Sequence, residues 1–250
     1  MSAGRYLKTA VAVAWIATGS AVAAGVPAEF SAANRLYAEG KFAQAAAAYE
    51  KLLGAGQVSP ALYFNFGNAE FKSGNLGRAI AAYRRAGQLA PRDAEVQANL
   101  EFARSQVTGP SRRESRWEHW LGLLTLNEWT AGTAAAVWLW FGLLAAGQLR
   151  PALKPALRGL TAGAAALALL AGAGAGANAV RHFSGETVVV VAPESTARSG
   201  PFAEAQNAFV AHDGAELAVL DRRDDWLQVT DGAGRIGWLP RHQVEVLPGS

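Results

Sequence analysis

The sequence predicts a multidomain membrane protein with three kinds of structure in order: an α-helical repeat solenoid, a transmembrane α-hairpin and a C-terminal small all-β barrel. Three observations carry that prediction. Hydrophobic residues make up 51% of the 250 residues and charged residues only 17%, too apolar for a wholly soluble chain. A 34-residue period runs through the first hundred residues, the signature of stacked supersecondary units. Two long uncharged runs follow it, and after them come short β-branched runs separated by turn residues. The 27 Gly and 8 Trp fit a chain that is partly in lipid.

The same composition excludes several function classes. With zero Cys there is no disulfide framework, thiolate metal site or cysteine nucleophile. The four His, at 119, 182, 212 and 242, are never within helical reach of one another, so no His-based metal site is expected. The basic pI of about 9.4 is not a nucleic-acid signal. Residues 29–108 hold nine Lys/Arg against seven Asp/Glu, and residues 182–250 hold five against ten. Of the nine remaining cations, six, at Arg5, Lys8, Arg150, Lys154, Arg158 and Arg181, flank apolar runs and act as membrane anchors. No nucleic-acid partner is expected. Neither GxSxG, HExxH nor a P-loop occurs, and Gly172-x-Gly174-x-Gly176 lies inside an apolar run with no preceding strand. The chain is expected to be no enzyme and to use no cofactor.

Residues 1–24 carry Arg5 and Lys8, then an uncharged run ending in Ala21-Val22-Ala23, the order of a cleaved export signal. An uncleaved anchor is the competing reading and leaves the next domain on the same side. Residues 27–108 form the repeat region. A shift of 34 lays Ala33 on Gly67, Gly40 on Gly74, Phe42 on Leu76, Ala45 on Ala79 and Tyr49 on Tyr83. Small residues at 33, 45, 67 and 79 permit close helix packing, Gly40 and Gly74 end the first helix of each pair, and Pro91 ends the second. Phe30, Leu36, Phe42 and Tyr49 should fill the interior. A further helix starts at the N-cap Asp93 and has no partner helix before Gly109-Pro110. Its open apolar face needs a cap, expected from the Trp117–Leu126 segment or from another protein.

Residues 109–128 read as a linker or interfacial segment. From Trp129 to Leu149 there are 21 uncharged residues, about 31 Å of helix, a first transmembrane span. Residues 150–158, with Arg150, Lys154 and Arg158, read as a basic loop that the positive-inside rule puts in the cytoplasm. A second span covers Gly159–Val180, where Gly159/Gly163 and Gly172/Gly176 are GxxxG pairs suited to a hairpin with the first. Both soluble domains then lie on the extracytoplasmic, periplasmic side of an inner membrane. Over residues 186–248 five strands are expected, at Thr187–Val191, Glu216–Leu220, Trp226–Thr230, Ile236–Leu239 and Val244–Leu247, with turns at Asp213-Gly214 and 231–234 and a solvated turn at Asp224-Asp225.

In the second repeat copy, Tyr63-x-x-Phe66-Gly67, Ala79, Tyr83, Ala86 and Pro91 resemble the tetratricopeptide repeat. That resemblance implies a concave peptide groove lined by the first helix of each repeat. Asn34 and Asn68 are then equivalent, as are Asn65 and Asn99, giving two asparagine ladders able to hold a peptide backbone, with Tyr37, Phe71 and Lys72 flanking them. The alternative is that these amides only bond the next helix. Phe30 and Glu95 stand where a dicarboxylate clamp would need basic residues.

Asp225-Trp226-Leu227-Gln228-Val229 followed by Gly237-Trp238-Leu239-Pro240 resembles a bacterial SH3 domain. Trp226, Trp238 and Pro240 become a ligand surface for an extended peptide or a glycan; the alternative is tryptophan as half-buried core. The stretch Phe202–Phe209 is hydrophobic for a solvent turn, a departure from that pattern.

The order of export signal, repeats, two-span hairpin and SH3-like domain, together with Leu126-Asn127-Glu128-Trp129 at the head of the first span, resembles the BatE-type aerotolerance proteins of bacteria. The resemblance implies a non-catalytic inner-membrane scaffold whose partners are a MoxR-type ATPase system and membrane-anchored von Willebrand factor A domain proteins, with a role in aerotolerance or envelope stress. The alternative function is a peptidoglycan-binding membrane module that recruits cell-wall enzymes.

Overall fold

The computed structural model describes residues 25–110, 121–122, 124–184 and 186–247. The expected export signal, part of the linker and residues 117–120 and 123 of the expected cap lie outside them. Among the described residues there are seven α-helices, two of them strongly apolar, and a C-terminal antiparallel sheet.

Helices α1 (Gly25–Ala38) and α2 (Phe42–Gly54) form a first pair, and α3 (Pro60–Lys72) and α4 (Leu76–Leu89) a second. Each pair turns on a glycine in the left-handed region, Gly40 at φ 76° and Gly74 at φ 86°, where a side chain would be strained. Ala33, Ala45, Ala69 and Ala82 are buried with Tyr49, Leu52, Leu62 and Phe66 in the core between the pairs. Phe30, Leu36 and Tyr37 close over that core. At Gly67 a Cβ would come within 2.7 Å of the Tyr83 ring, so the small residue there is a packing requirement. Helix α5 (Ala94–Ser105) begins at Asp93, whose carboxylate accepts hydrogen bonds from the Glu95 and Val96 N–H groups.

Helix α6 (Leu126–Leu149) opens on a capping box, in which Thr125 and Glu128 satisfy each other's backbone N–H groups. After a 3₁₀ turn at Pro151–Leu153, helix α7 (Lys154–Ser184) runs back alongside it. Both helices are long and apolar enough to cross a membrane. The residues expected as the 150–158 loop are therefore mostly helical: Pro151 and Pro155 sit in first-turn positions, where a missing N–H costs nothing. Close approach of α6 and α7 does not use the GxxxG pairs as such. A Cβ at Gly174 would stand 2.5 Å from the Trp129 ring and one at Gly172 3.7 Å from Thr133, whereas Gly159, Gly163 and Gly176 face open space among the described residues.

The sheet has seven strands rather than five: β1 (Thr187–Val190), β2 (Glu194–Arg198), β3 (Asn207–His212), β4 (Glu216–Arg223), β5 (Trp226–Thr230), β6 (Ile236–Pro240) and β7 (Val244–Leu247), in the spatial order β3-β2-β6-β5-β4-β1-β7. The five expected strands are among them. The additional strands account for part of the apolar stretch at 202–209: Phe209 of β3 is buried in the sheet core beside β2, while residues 201–205 do form a turn, on which Ala205 is buried and Phe202 stays 53% exposed. Asp224, at φ 50°, makes the tight turn between β4 and β5.

Strand β1 accounts for its own run of three valines. Val188 and Val190 enter the core of the sheet, while Val189 on the opposite face joins Leu247 of β7 in a second core with Ala79, Ile80 and Tyr83 of α4 and Leu100 and Ala103 of α5. The strand is buried on both faces because the sheet is docked on the helices. Among the described residues, the inward face of α5, with Leu100 and Ala103, is thus covered by the C-terminal sheet of the same chain, a source of cover that the local sequence did not suggest. The sheet had the matching need, since β7 is an edge strand and α4 lies against it.

Candidate functional site

Three surfaces hold the residues of interest. The first is the face formed by α1, α3 and α5. Asn34 of α1 accepts, at its Oδ1, hydrogen bonds from the Tyr49 hydroxyl at 2.6 Å and from the Asn65 amide at 3.1 Å. One period later Asn68 of α3 accepts from the Tyr83 hydroxyl at 2.7 Å and from the Asn99 amide at 3.1 Å. The bonds run between the expected ladders, from Asn65 to Asn34 and from Asn99 to Asn68, so each amide bonds the neighbouring helix of the stack, and each pair is tied to a buried tyrosine. Burial pushes the Tyr49 phenol up to about 12, with the neighbouring Tyr37 adding to it, and raises Tyr83 for the same reasons.

What these asparagines still offer outward is the Asn34 and Asn68 amide nitrogens and the Asn65 and Asn99 carbonyl oxygens. Tyr37 stacks edge-on against Phe42 at 5.2 Å. Phe71 is half-buried against Phe102 at 5.6 Å, and Phe102 is 57% exposed. Lys72 is exposed and turns toward a shallow cleft of about 330 Å³ that it lines with Lys41 and Phe42. Of the seven residues, the four asparagines form two bonded pairs, while Tyr37, Phe71 and Lys72 make separate contacts with Phe42, Phe102 and the Lys41–Phe42 cleft.

The second surface is the face of β5 and β6 opposite the sheet core. Trp226 pairs with Pro240 and Gln228 with Trp238, which places all three expected ligand-surface residues on that side. Trp226 is half-buried. Trp238 is buried, with the Arg223 guanidinium 5.6 Å over its ring. Only Trp226 and Pro240 keep substantial outward surface.

The third surface, between helices and sheet, contains the residues that the sequence analysis missed. Asn75, at the N-cap of α4, makes no capping bond with its side chain. The cap comes instead from the turn before β4: Asp213 accepts the Leu76 N–H at Oδ2 and the Gly77 N–H at Oδ1, both at 2.9 Å. A carboxylate at a helix N-terminus is favoured by the free N–H groups and the helix dipole. Burial nonetheless raises the Asp213 pKa, outweighing the bonds from Gly77, Leu76 and Gly214 that oppose it.

Two glycines make this approach possible. A Cβ on Gly77 would sit 2.0 Å from the Val190 carbonyl oxygen, and one on Gly214, at φ 85°, 2.8 Å from Val107. Beside them Glu216 accepts from Arg84 at 3.1 Å and from Arg104 at 2.9 and 3.1 Å, its side chain only 9% exposed. Glu245 pairs with Arg85 at 3.0 Å, and burial raises its pKa despite that cation. The signal was present in the repeat itself. Gly77 and Arg84 stand one period after Ala43 and Glu50, so the second copy departs from the first where it meets the sheet.

Among the described residues no three His, Asp or Glu side chains gather into a metal-binding group. The chemistry these surfaces offer is hydrogen bonding, ion pairing and aromatic contact. No protein-family model matches this chain, and no curated protein matches it either.

Proposed function

We propose that this chain is a non-catalytic inner-membrane scaffold. Its helical repeats act as a tetratricopeptide-like solenoid, its sheet as an SH3-like barrel, and α6–α7 as a transmembrane hairpin. The observation that carries the reading is the sealed end of the repeat array. The sheet covers α4 and α5, so the array is completed within the chain, while Phe102 and Lys72 on the α1/α3/α5 face stay exposed for another protein. A recognition surface held rigid by its own chain and anchored in lipid is what an adaptor requires.

A hairpin returns the chain to the side from which it entered, and the contacts between α4 and the sheet need both soluble parts on one side. The export signal and the Arg150–Arg158 cations favour the periplasmic side for those parts. The partners in this reading are membrane-anchored von Willebrand factor A domain proteins and a MoxR-type ATPase system, in a complex serving aerotolerance or envelope stress.

The test places a photo-crosslinking residue at Phe102 or Lys72 of the full chain in native membranes and identifies what is captured. The scaffold reading expects von Willebrand factor A domain proteins at both positions and no sedimentation with purified peptidoglycan. Co-sedimentation with peptidoglycan, lost in Trp226→Ala, would replace it by the cell-wall-binding reading.

A further inference from the structure

Most cations of the soluble part have acidic partners. Arg78 meets Glu50 and Glu70, Arg84 and Arg104 meet Glu216, Arg85 meets Glu245, Arg92 meets Glu128, Arg222 meets Glu186 and Arg235 meets Asp231. The turn between α6 and α7 is different. Arg150, Lys154 and Arg158 form no ion pair among the described residues, and no Asp or Glu occurs anywhere between Glu128 and Glu186. Those two carboxylates belong to the other end of the hairpin, about 36 Å away along α6, and both are already paired.

The three cations are also held in place. Lys154 and Arg158 stand one turn apart on α7, Arg150 is the C-cap of α6, and Pro151 and Pro155 stiffen the backbone between them. Gly147 of α6 is buried against the stem of Lys154, whose Cγ lies 3.6 Å from where a Cβ would stand, so the lysine stem packs on α6 at ordinary contact distance. A concentrated positive charge at the end of two apolar helices, without a counter-ion of its own, calls for an anion at the depth of lipid headgroups.

We propose that Arg150, Lys154 and Arg158 form a binding site for the phosphodiester headgroup of an anionic phospholipid. The proposal rests on the membrane-hairpin reading and adds to it a preference for one lipid class. The two guanidinium groups can grip phosphate oxygens in pairs, and the ammonium adds a point charge between them. The shared chemistry is a phosphate anion, and the surrounding bilayer is its source.

The full chain is reconstituted in phosphatidylcholine vesicles carrying spin-labelled phosphatidylglycerol or spin-labelled phosphatidylcholine, and the immobilised fraction of each label is compared. At low salt the native chain should prefer phosphatidylglycerol, by on the order of fivefold for each cation engaged. R150Q/K154Q/R158Q should lose the preference while retaining its helical circular dichroism, and Arg158→Gln alone should lose part of it. Equal immobilisation of the two lipids, or a preference that survives the triple substitution, would overturn the proposal. So would release of the labelled lipid by inorganic phosphate at matching concentration, since the source would then be the free anion. Flotation separates the two levels: a chain that floats with vesicles but shows no lipid preference contradicts only this site, whereas one that floats with no vesicles removes the membrane reading as well.

Discussion

The pairs α1–α2 and α3–α4 are two copies of one 34-residue pattern placed in different surroundings. What they share faces inward: Tyr49 bonds Asn34 and Asn34 bonds Asn65, and one period on Tyr83 bonds Asn68 and Asn68 bonds Asn99. Where they differ, they face something else. Ala43 becomes Gly77, which lies against the Val190 carbonyl, and Glu50 becomes Arg84, which pairs with Glu216. Leu36 becomes Glu70, but that difference is answered within the repeats, where the buried carboxylate bonds Asn75 at 2.6 Å and Arg78 at 3.1 Å. At Gly77 and Arg84, by contrast, the disagreement between copies marks contacts that only the second copy makes with the sheet.

The largest effect should follow from removing the carboxylate on which two arginines converge. Glu216→Ala removes the charge-assisted hydrogen bonds that two arginines make to one carboxylate, worth about 1.5–3 kcal/mol for each arginine, and should cost about 3–5 kcal/mol of stability. The corresponding test in the first pair, Glu50→Ala, removes an exposed partner of Arg78 and should cost at most about 1 kcal/mol. Denaturant unfolding of the two variants measures both.

Gly77→Ala comes next, because its methyl group meets backbone that cannot rotate away. A loss of about 1–3 kcal/mol is expected, with separation of helices and sheet, whereas Ala43→Gly should cost only about 1 kcal/mol of helix propensity. Differential scanning calorimetry would show whether the Gly77 variant melts in two transitions while the Ala43 variant keeps one.

The shared interior should respond alike in both copies. Asn34→Ala and Asn68→Ala each strand a buried tyrosine hydroxyl and should each cost about 1–3 kcal/mol. A large stability loss at one copy and none at the other would break the equivalence. The same tyrosines set the alkaline limit. Tyr49 has its pKa raised to about 12, so the stability held by its neutral phenol is intact below about pH 10 and is lost as pH climbs from about 10 to 12. Tyrosinate absorbance should therefore rise together with unfolding in that window.

Much of this architecture was legible in local sequence. The glycines at 40 and 74, the Asp93 cap, the two apolar helices and five of the strands follow from turn chemistry and periodicity, which act over a few residues. The period predicts that Asn34 and Asn68, and Asn65 and Asn99, have like surroundings, and the repeated Asn65–Asn34 and Asn99–Asn68 bonds agree, although which asparagine bonds which was not legible from it. The docking of sheet on helices joins residues more than a hundred positions apart, and no local rule brings Asp213 to Leu76. Asp213-Gly214 reads as a turn in isolation, which it is, and its second role as a helix cap exists only once the sheet is folded. Strand β2 was missed because its buried positions are filled by small residues, Ser195 and Ala197, which carry little hydrophobic signal, and β3 because only Phe209 and Ala211 of its six residues are buried, too few for a clear alternation.

The C-terminal sheet closes the repeat array by capping α4 from outside. Residue-resolved amide hydrogen exchange compares the two copies directly. Helix N-terminal amides without acceptors exchange freely, so Phe42 and Ala43 should be fast. Leu76 and Gly77, whose N–H groups are held by Asp213, should be protected to the level of the β1 valines, and Asp213→Ala should abolish that protection without changing Phe42 and Ala43. Fast exchange at all four amides in the native chain would contradict the account.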